Sequence, residues 1–274
     1  MIIMKFIEKL NRIWAQNNSL VCVGLDPDLA KMPECVKSGK NPIFAFNRAI
    51  IDATCKDVCC YKPQIACYEG QCAEEDLAMT LDYIRSKCPE VPVILDAKRG
   101  DIGNTSKMYA KEAFERYGAD AVTLNPYMGM DALKPFLDYE EKGAVILCRT
   151  SNAGAKEIQE LALADGQPLY KHVAALIAGP WNYNGNNMLV AGATAPAELG
   201  EIRKIVGKTP LLVPGIGAQG GDLEGVLKFG LTEEKTGLVI NSSRGIIYAS
   251  NGEDFAEKAG EETRKLKAAI NAFR

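Results

Sequence analysis

Eight short apolar runs recur along the chain: Leu20–Leu25, Val58–Lys62, Val93–Lys98, Ala121–Leu124, Ala144–Cys148, Met188–Ala191, Leu211–Pro214 and Leu238–Asn241. Amphipathic stretches of helical length lie between them, among them Ile43–Lys56, Glu74–Lys87, Lys107–Tyr117, Met130–Glu141, Pro196–Val206 and Leu223–Phe229. A strand that is followed by a helix before the next strand pairs in parallel, because the crossover returns the chain to the same end of the sheet. Eight such units in 274 residues match the ~250 residues of a closed eight-stranded α/β barrel. The expected fold class is therefore α/β, a single-domain (β/α)8 TIM barrel over residues 1–274. No linker rich in Pro, Gly or Ser divides the sequence. An amphipathic helix at about residues 3–18, apolar at Ile3, Phe6, Ile7, Leu10 and Ile13, is expected to cover the barrel bottom or pack at its rim. Phe255–Phe273 is the expected closing helix. Residues 151–187 read as an enlarged loop on the active face, with a helix around Pro168–Ile177 and a polar segment at Asn182–Asn187.

Charge and cysteine usage narrow the function classes. The net charge is −3, and no long basic run is present, which argues against nucleic acid or an anionic membrane as partner. No apolar run reaches the ~18 residues a membrane span needs. The N-terminal helix lacks the continuous apolar core and small-residue cleavage site of a signal peptide. The nine cysteines are odd in number and form no C-x-x-C pair, which fits reduced thiols in a cytoplasmic protein. Metal ligands are not expected: the single histidine, His172, sits in a helix-like stretch and reads as structural.

In this architecture chemistry gathers where the strands end, on the C-terminal face. Nearly every strand end here is polar or glycine-rich, while the strand middles are apolar. The third is the most loaded. Val91–Ser106 reads V-P-V-I-L-D-A-K-R-G-D-I-G-N-T-S. Side chains alternate along a strand, so Asp96 and Lys98 share a face. The strand breaks at Gly100, Asp101 follows, and Asn104, Thr105 or Ser106 is expected to cap the next helix. Carboxylates on both sides favour the cationic form of a lysine, the form that can donate a proton to a developing carbanion. The last two strand ends carry a phosphate signal. Four glycines in Gly215–Gly221, with the amide of Gln219, allow close approach of backbone N–H groups to an anion. Ser242–Ser243–Arg244–Gly245 precedes a helical turn, where the dipole and the guanidinium both favour an anion.

D-A-K-R-G-D-I-G-N-T-S at Asp96–Ser106 resembles the signature of the orotidine 5′-phosphate decarboxylase family in its longer bacterial form. The resemblance extends over most of the chain, with Lys62 on strand two and the phosphate elements at strands seven and eight in the family's order. It implies that Lys62, Asp96, Lys98 and Asp101 form a charged tetrad with Lys98 as proton donor. It also implies a homodimer in which Asp101, Ile102 and Thr105 reach the neighbouring subunit's site. Asp26 would bind the ribose hydroxyls, Ser151 the pyrimidine edge, and Pro214 the ring face. Gly215, Gln219, Ser243 and Arg244 would hold the phosphate of a nucleotide substrate. One departure from the family pattern is Ala153, where relatives often carry proline. The implied reaction is conversion of orotidine 5′-phosphate to uridine 5′-phosphate and carbon dioxide, the last step of UMP biosynthesis. No metal-ligating cluster supplies an electron sink, so no cofactor is expected and the carbanion must be stabilised electrostatically.

Two other readings use the same features. A sugar-phosphate enzyme on a related barrel, such as a keto-gulonate phosphate decarboxylase or a hexulose phosphate synthase, would need a divalent metal for its enediolate. Its D-x-K-x-x-D is typically followed by a small residue and glycine, whereas Ile102–Gly103–Asn104–Thr105 follows here. A non-catalytic phosphate-binding barrel would keep Gly215–Gly221 and Arg244 without needing Lys62, Asp96, Lys98 and Asp101 together.

Overall fold

The computed structural model describes residues 4–193, 196–216 and 222–274. Eight parallel strands are present: β1 (Val21–Leu25), β2 (Cys60–Pro63), β3 (Ile94–Arg99), β4 (Ala121–Leu124), β5 (Gly143–Arg149), β6 (Asn187–Ala191), β7 (Leu211–Pro214) and β8 (Leu238–Ser242). They pair in the order β2-β1-β8-β7-β6-β5-β4-β3. Single bridges Tyr61–Val93 and Gln64–Asp96 join β2 to β3 and close the ring. This is the (β/α)8 TIM barrel expected from the alternation. The strands are buried along nearly their whole length, as apolar runs enclosed by helices outside and packed side chains inside must be.

The helix Phe6–Gln16 buries Phe6, Leu10, Ile13 and Trp14 on one face. It lies under the barrel: Phe6 N–H donates to Glu141 C=O at 2.9 Å just before β5, and Lys9 Nζ pairs with Asp120 at 3.0 Å just before β4. The asparagine-rich segment 182–187 also sits at this lower end. Asn184 Nδ2 donates to Leu137 C=O and Asn186 Nδ2 to Glu140 C=O. Between residues 151 and 187 the chain forms a 3-10 turn at Ala153–Ala155, a short helix Lys156–Gln159 and the helix Leu169–Ala178. Thus the upper part of this stretch faces the strand ends, and its asparagine end has returned beneath the barrel. The helix Phe255–Asn271 packs against Pro42–Thr54 and covers the last side.

One local expectation is corrected. The helix after β3 begins at Gly103 and runs to Lys111, with Ile102 as its extended N-terminal neighbour and no side-chain cap. Asn104, Thr105 and Ser106 are helical residues, not caps. Ser106 is buried and its hydroxyl donates to Ala132 C=O at 2.6 Å. Its bond is tertiary, and Gly103 at φ +54° supplies the turn that a cap would otherwise shape. The helix then widens into a π-helical turn at Glu112–Arg116, where Glu112 is drawn to Arg99 Nη2 at 3.0 Å.

Candidate active site

A cavity of about 220 Å³ opens at the C-terminal ends of β1, β2, β3, β7 and β8, lined by Asp26, Lys62, Gln64, Asp96, Lys98, Pro214, Gly215, Ile216, Asn241, Ser243 and Arg244. Its floor is an ion chain. Lys62 Nζ donates to Asp96 Oδ2 at 2.7 Å, and Lys98 Nζ donates to Asp96 Oδ1 at 2.6 Å. Lys62 Nζ also lies 4.0 Å from Asp26 Oδ1. Lys62 and Asp96 are buried, with side chains 5% and 9% exposed, whereas Lys98 is 47% exposed. Burial alone would push the Asp96 carboxyl up, but Lys62 and Lys98 outweigh it and hold the group well below the ordinary carboxylate range. Burial works against the Lys62 cation, yet Asp26 and Asp96 together raise it above the ordinary lysine value. The result is a fixed alternation of charge with one ammonium, Lys98, reaching into accessible space.

How β3 delivers that ammonium differs from simple alternation. Its pairing with β4 shifts between Leu95 and Arg99, and Lys98 has φ +47°. A non-glycine residue in that region costs on the order of 1–3 kcal/mol and persists only where surrounding contacts over-determine it. Here the contacts come from Thr123 on β4. Its hydroxyl oxygen accepts the Ala97 and Lys98 N–H groups, each at 2.9 Å, and donates to Asp96 Oδ1 at 2.9 Å.

Close packing shapes the rest of the rim. A Cβ on Gly24 would come within 2.7 Å of Ser243 Cβ and 3.2 Å of Asn241 Oδ1, so only glycine lets β1 and the end of β8 approach this closely. Gly192 plays the same part beside Ser151, whose backbone N and Cβ lie 3.0 Å from where a Cβ would stand. Ser243 follows β8 and Arg244 opens the short helix Arg244–Ile247. Arg244 is exposed and forms no ion pair among the described residues. Two polar atoms near the cavity wall, Asp26 Oδ1 and Ser243 Oγ, are buried without a hydrogen-bond partner.

Of the sequence-derived candidates, Asp26, Lys62, Asp96, Lys98, Pro214, Gly215, Ser243 and Arg244 line this one cavity. Asp101 does not. Its Oδ1 accepts the N–H of Ile102 at 2.7 Å, and it has no ion pair among the described residues. Ile102 and Thr105 are exposed beside it. Ser151 stands after β5, outside the cavity lining, against Gly192. Gln219 lies outside the described residues, as do Gly217, Gly220 and Gly221. His172 is exposed on the helix Leu169–Ala178. Gln64, Thr123 and Asn241 belong to the site and were not singled out from the sequence. The available signal was a polar residue inside or just after an apolar run.

Comparison with known proteins gives a consistent picture. Residues 19–259 match the family model described as orotidine 5′-phosphate decarboxylase / HUMPS family. A protein of Cellvibrio japonicus named orotidine 5′-phosphate decarboxylase is 53% identical over 273 residues, covering 99% of this chain and 100% of that protein. Among solved structures, Leishmania donovani OMP decarboxylase is 36% identical with TM-score 0.84, covering 98% of this chain and 99% of that one. Leishmania donovani UMP synthase is 37% identical with TM-score 0.85, and there the chain spans 56% of a longer protein.

Proposed function

The chain belongs to the orotidine 5′-phosphate decarboxylase / HUMPS family, and from that membership we propose how its site carries out the reaction. The reaction is decarboxylation of orotidine 5′-phosphate to uridine 5′-phosphate. The observation that carries the mechanism is the chain Asp26–Lys62–Asp96–Lys98, which ends in a single accessible ammonium at the cavity floor.

The C6–carboxylate bond breaks heterolytically. Carbon dioxide leaves, and the electron pair stays on C6 of the pyrimidine. Lys98 faces that carbon as a fixed positive charge, then transfers a proton to it, and the neutral amine regains a proton from solvent. A charge held in place before reaction costs no reorganisation as the carbanion forms. Asp96 fixes the position of Lys98, and Lys62 prevents Asp96 from drawing Lys98 away as its sole partner. No electron-sink cofactor or metal takes part in these steps.

Substrate contacts follow from the rim. Asp26 accepts from ribose hydroxyls, and Pro214 packs on the ring. Ser151 reads the pyrimidine edge. The phosphate is held by Gly215, Gln219, Ser243 and Arg244. Phosphate and ribose contacts supply binding energy that orders the loops around the reacting carbon.

Asp101 is assigned to a neighbouring subunit's site in a homodimer. Three facts support this. It has no cation partner among the described residues of its own chain. It begins an exposed apolar surface with Ile102, 52% exposed, and Met108. The loop after β4, bearing exposed Tyr127 and Met128, lies alongside, because Asn125 N–H donates to Arg99 C=O at 2.8 Å. The direct test is an ultraviolet assay for loss of the orotidine 5′-phosphate chromophore, with and without a strong chelator. Turnover that survives the chelator is expected. Loss of turnover on chelation, restored by a divalent metal, would support the metal-dependent relatives instead.

A further inference from the structure

Every hydrogen-bonding capacity of the Thr123 hydroxyl is in use. A hydroxyl has one proton to donate and two lone pairs to accept with. The proton goes to Asp96 Oδ1 at 2.9 Å, and the lone pairs take the N–H groups of Ala97 and Lys98, both at 2.9 Å. Thr123 is buried, 1% exposed, so no water replaces any of these bonds. The two N–H groups belong to the point where β3 departs from regular pairing and where Lys98 takes φ +47°. The oxygen that receives the hydroxyl proton also receives the Lys98 ammonium. A single side chain on β4 therefore grips both the backbone and the carboxylate that aim Lys98.

We infer that Thr123 is the positioning residue for Lys98: its hydroxyl holds the left-handed turn at Lys98 and the orientation of Asp96, and so sets the direction in which the ammonium points. Thr123 does not line the cavity and acts only through these two neighbours. Valine has the same shape but removes all three bonds, leaving two part-buried N–H donors and a carboxylate lone pair without partners. The turn then relaxes and Lys98 loses its aim, while the phosphate and ribose contacts on β1, β7 and β8 are untouched. This inference rests on Lys98 being the proton donor.

The test compares Thr123→Val, Thr123→Ser and Lys98→Ala by steady-state turnover of orotidine 5′-phosphate and by equilibrium binding of uridine 5′-phosphate. Thr123→Val is expected to lower kcat ~10- to 100-fold, the range for an interaction made only at the reacting centre, with KM and product affinity within about threefold. Thr123→Ser keeps the hydroxyl and is expected to recover most of kcat. The inference is overturned if Thr123→Val keeps kcat within threefold, or if KM rises and product affinity falls along with kcat. It is equally overturned if serine is as impaired as valine, since the loss would then be of packing. If Thr123→Val does not yield folded protein, Thr123→Cys serves in its place. Its longer, weaker hydrogen bonds should give a smaller kcat loss at unchanged product affinity, and wild-type turnover would overturn the inference. A Lys98→Ala variant that still turns over would instead remove the parent reading, so the two failures are distinct.

Discussion

Replacing Asp96 by asparagine removes the one anion that two lysines share. The carboxylate takes Lys62 on one oxygen at 2.7 Å, and Lys98 at 2.6 Å with Thr123 at 2.9 Å on the other. An amide is nearly the same size but carries no charge, and its NH2 group must face one of the ammoniums. Lys62, buried at 4% exposure, is then left with Asp26 at 4.0 Å. Removing one partner of a buried pair costs roughly 3–5 kcal/mol, because the remaining charge stays desolvated. At about 2 °C per kcal/mol for a chain of this size, the melting temperature of Asp96→Asn should fall by ~6–10 °C. Turnover should fall at least ~100-fold, since Lys98 loses a charge-assisted tether worth ~1.5–3 kcal/mol as well as its alignment. The pH dependence gives an independent check. Asp96 is held below its ordinary value in the folded chain, so its contribution is complete above the unfolded value of ~3.9. As pH falls below that, the contribution drains away by about 1.4 kcal/mol per unit. Differential scanning calorimetry should therefore show the gap between wild type and Asp96→Asn narrowing below pH ~4. A variant that melts within 2 °C of wild type, or a gap that widens in acid, would refute the electrostatic account of the site.

Three further outcomes are expected. Lys98→Ala should nearly abolish decarboxylation while uridine 5′-phosphate still binds measurably in a calorimetric titration; near-wild-type turnover would remove Lys98 from the mechanism. Arg244→Ala should raise KM and weaken uridine 5′-phosphate by ~10- to 100-fold, the value of a charged hydrogen bond, and leave uridine almost unaffected; equal losses for both ligands would contradict the phosphate role. Ile102→Glu should place a charge in the proposed subunit contact. Sedimentation should then show a shift from dimer to monomer with loss of turnover, and an active monomer would show that Asp101 is not needed from a partner.

The parts of this molecule that were legible in the sequence are those set by repeating local pattern. An apolar run followed by an amphipathic stretch states its own period, and eight repetitions leave few ways to arrange parallel strands. The charged residues at strand ends were legible for a related reason: a buried strand has no other use for Asp96 or Lys62, so their presence demands partners. What escaped was settled by contacts between elements. Thr123 looked like one polar residue in A-V-T-L, and only pairing with β3 turns it into the acceptor for Ala97 and Lys98. A lysine with positive φ is disfavoured by its own propensity, so nothing local could announce it. The segment Asn182–Asn187 read as loop polarity, yet its amides satisfy backbone carbonyls beneath the barrel. Thr123, Asn184 and Asn186 are thus of one kind. Each is a polar side chain whose meaning is the backbone group it bonds on another strand or loop. Because strain at Lys98 is tolerated only while such bonds persist, the position of the Lys98 ammonium depends on β4 as much as on the strand that carries it.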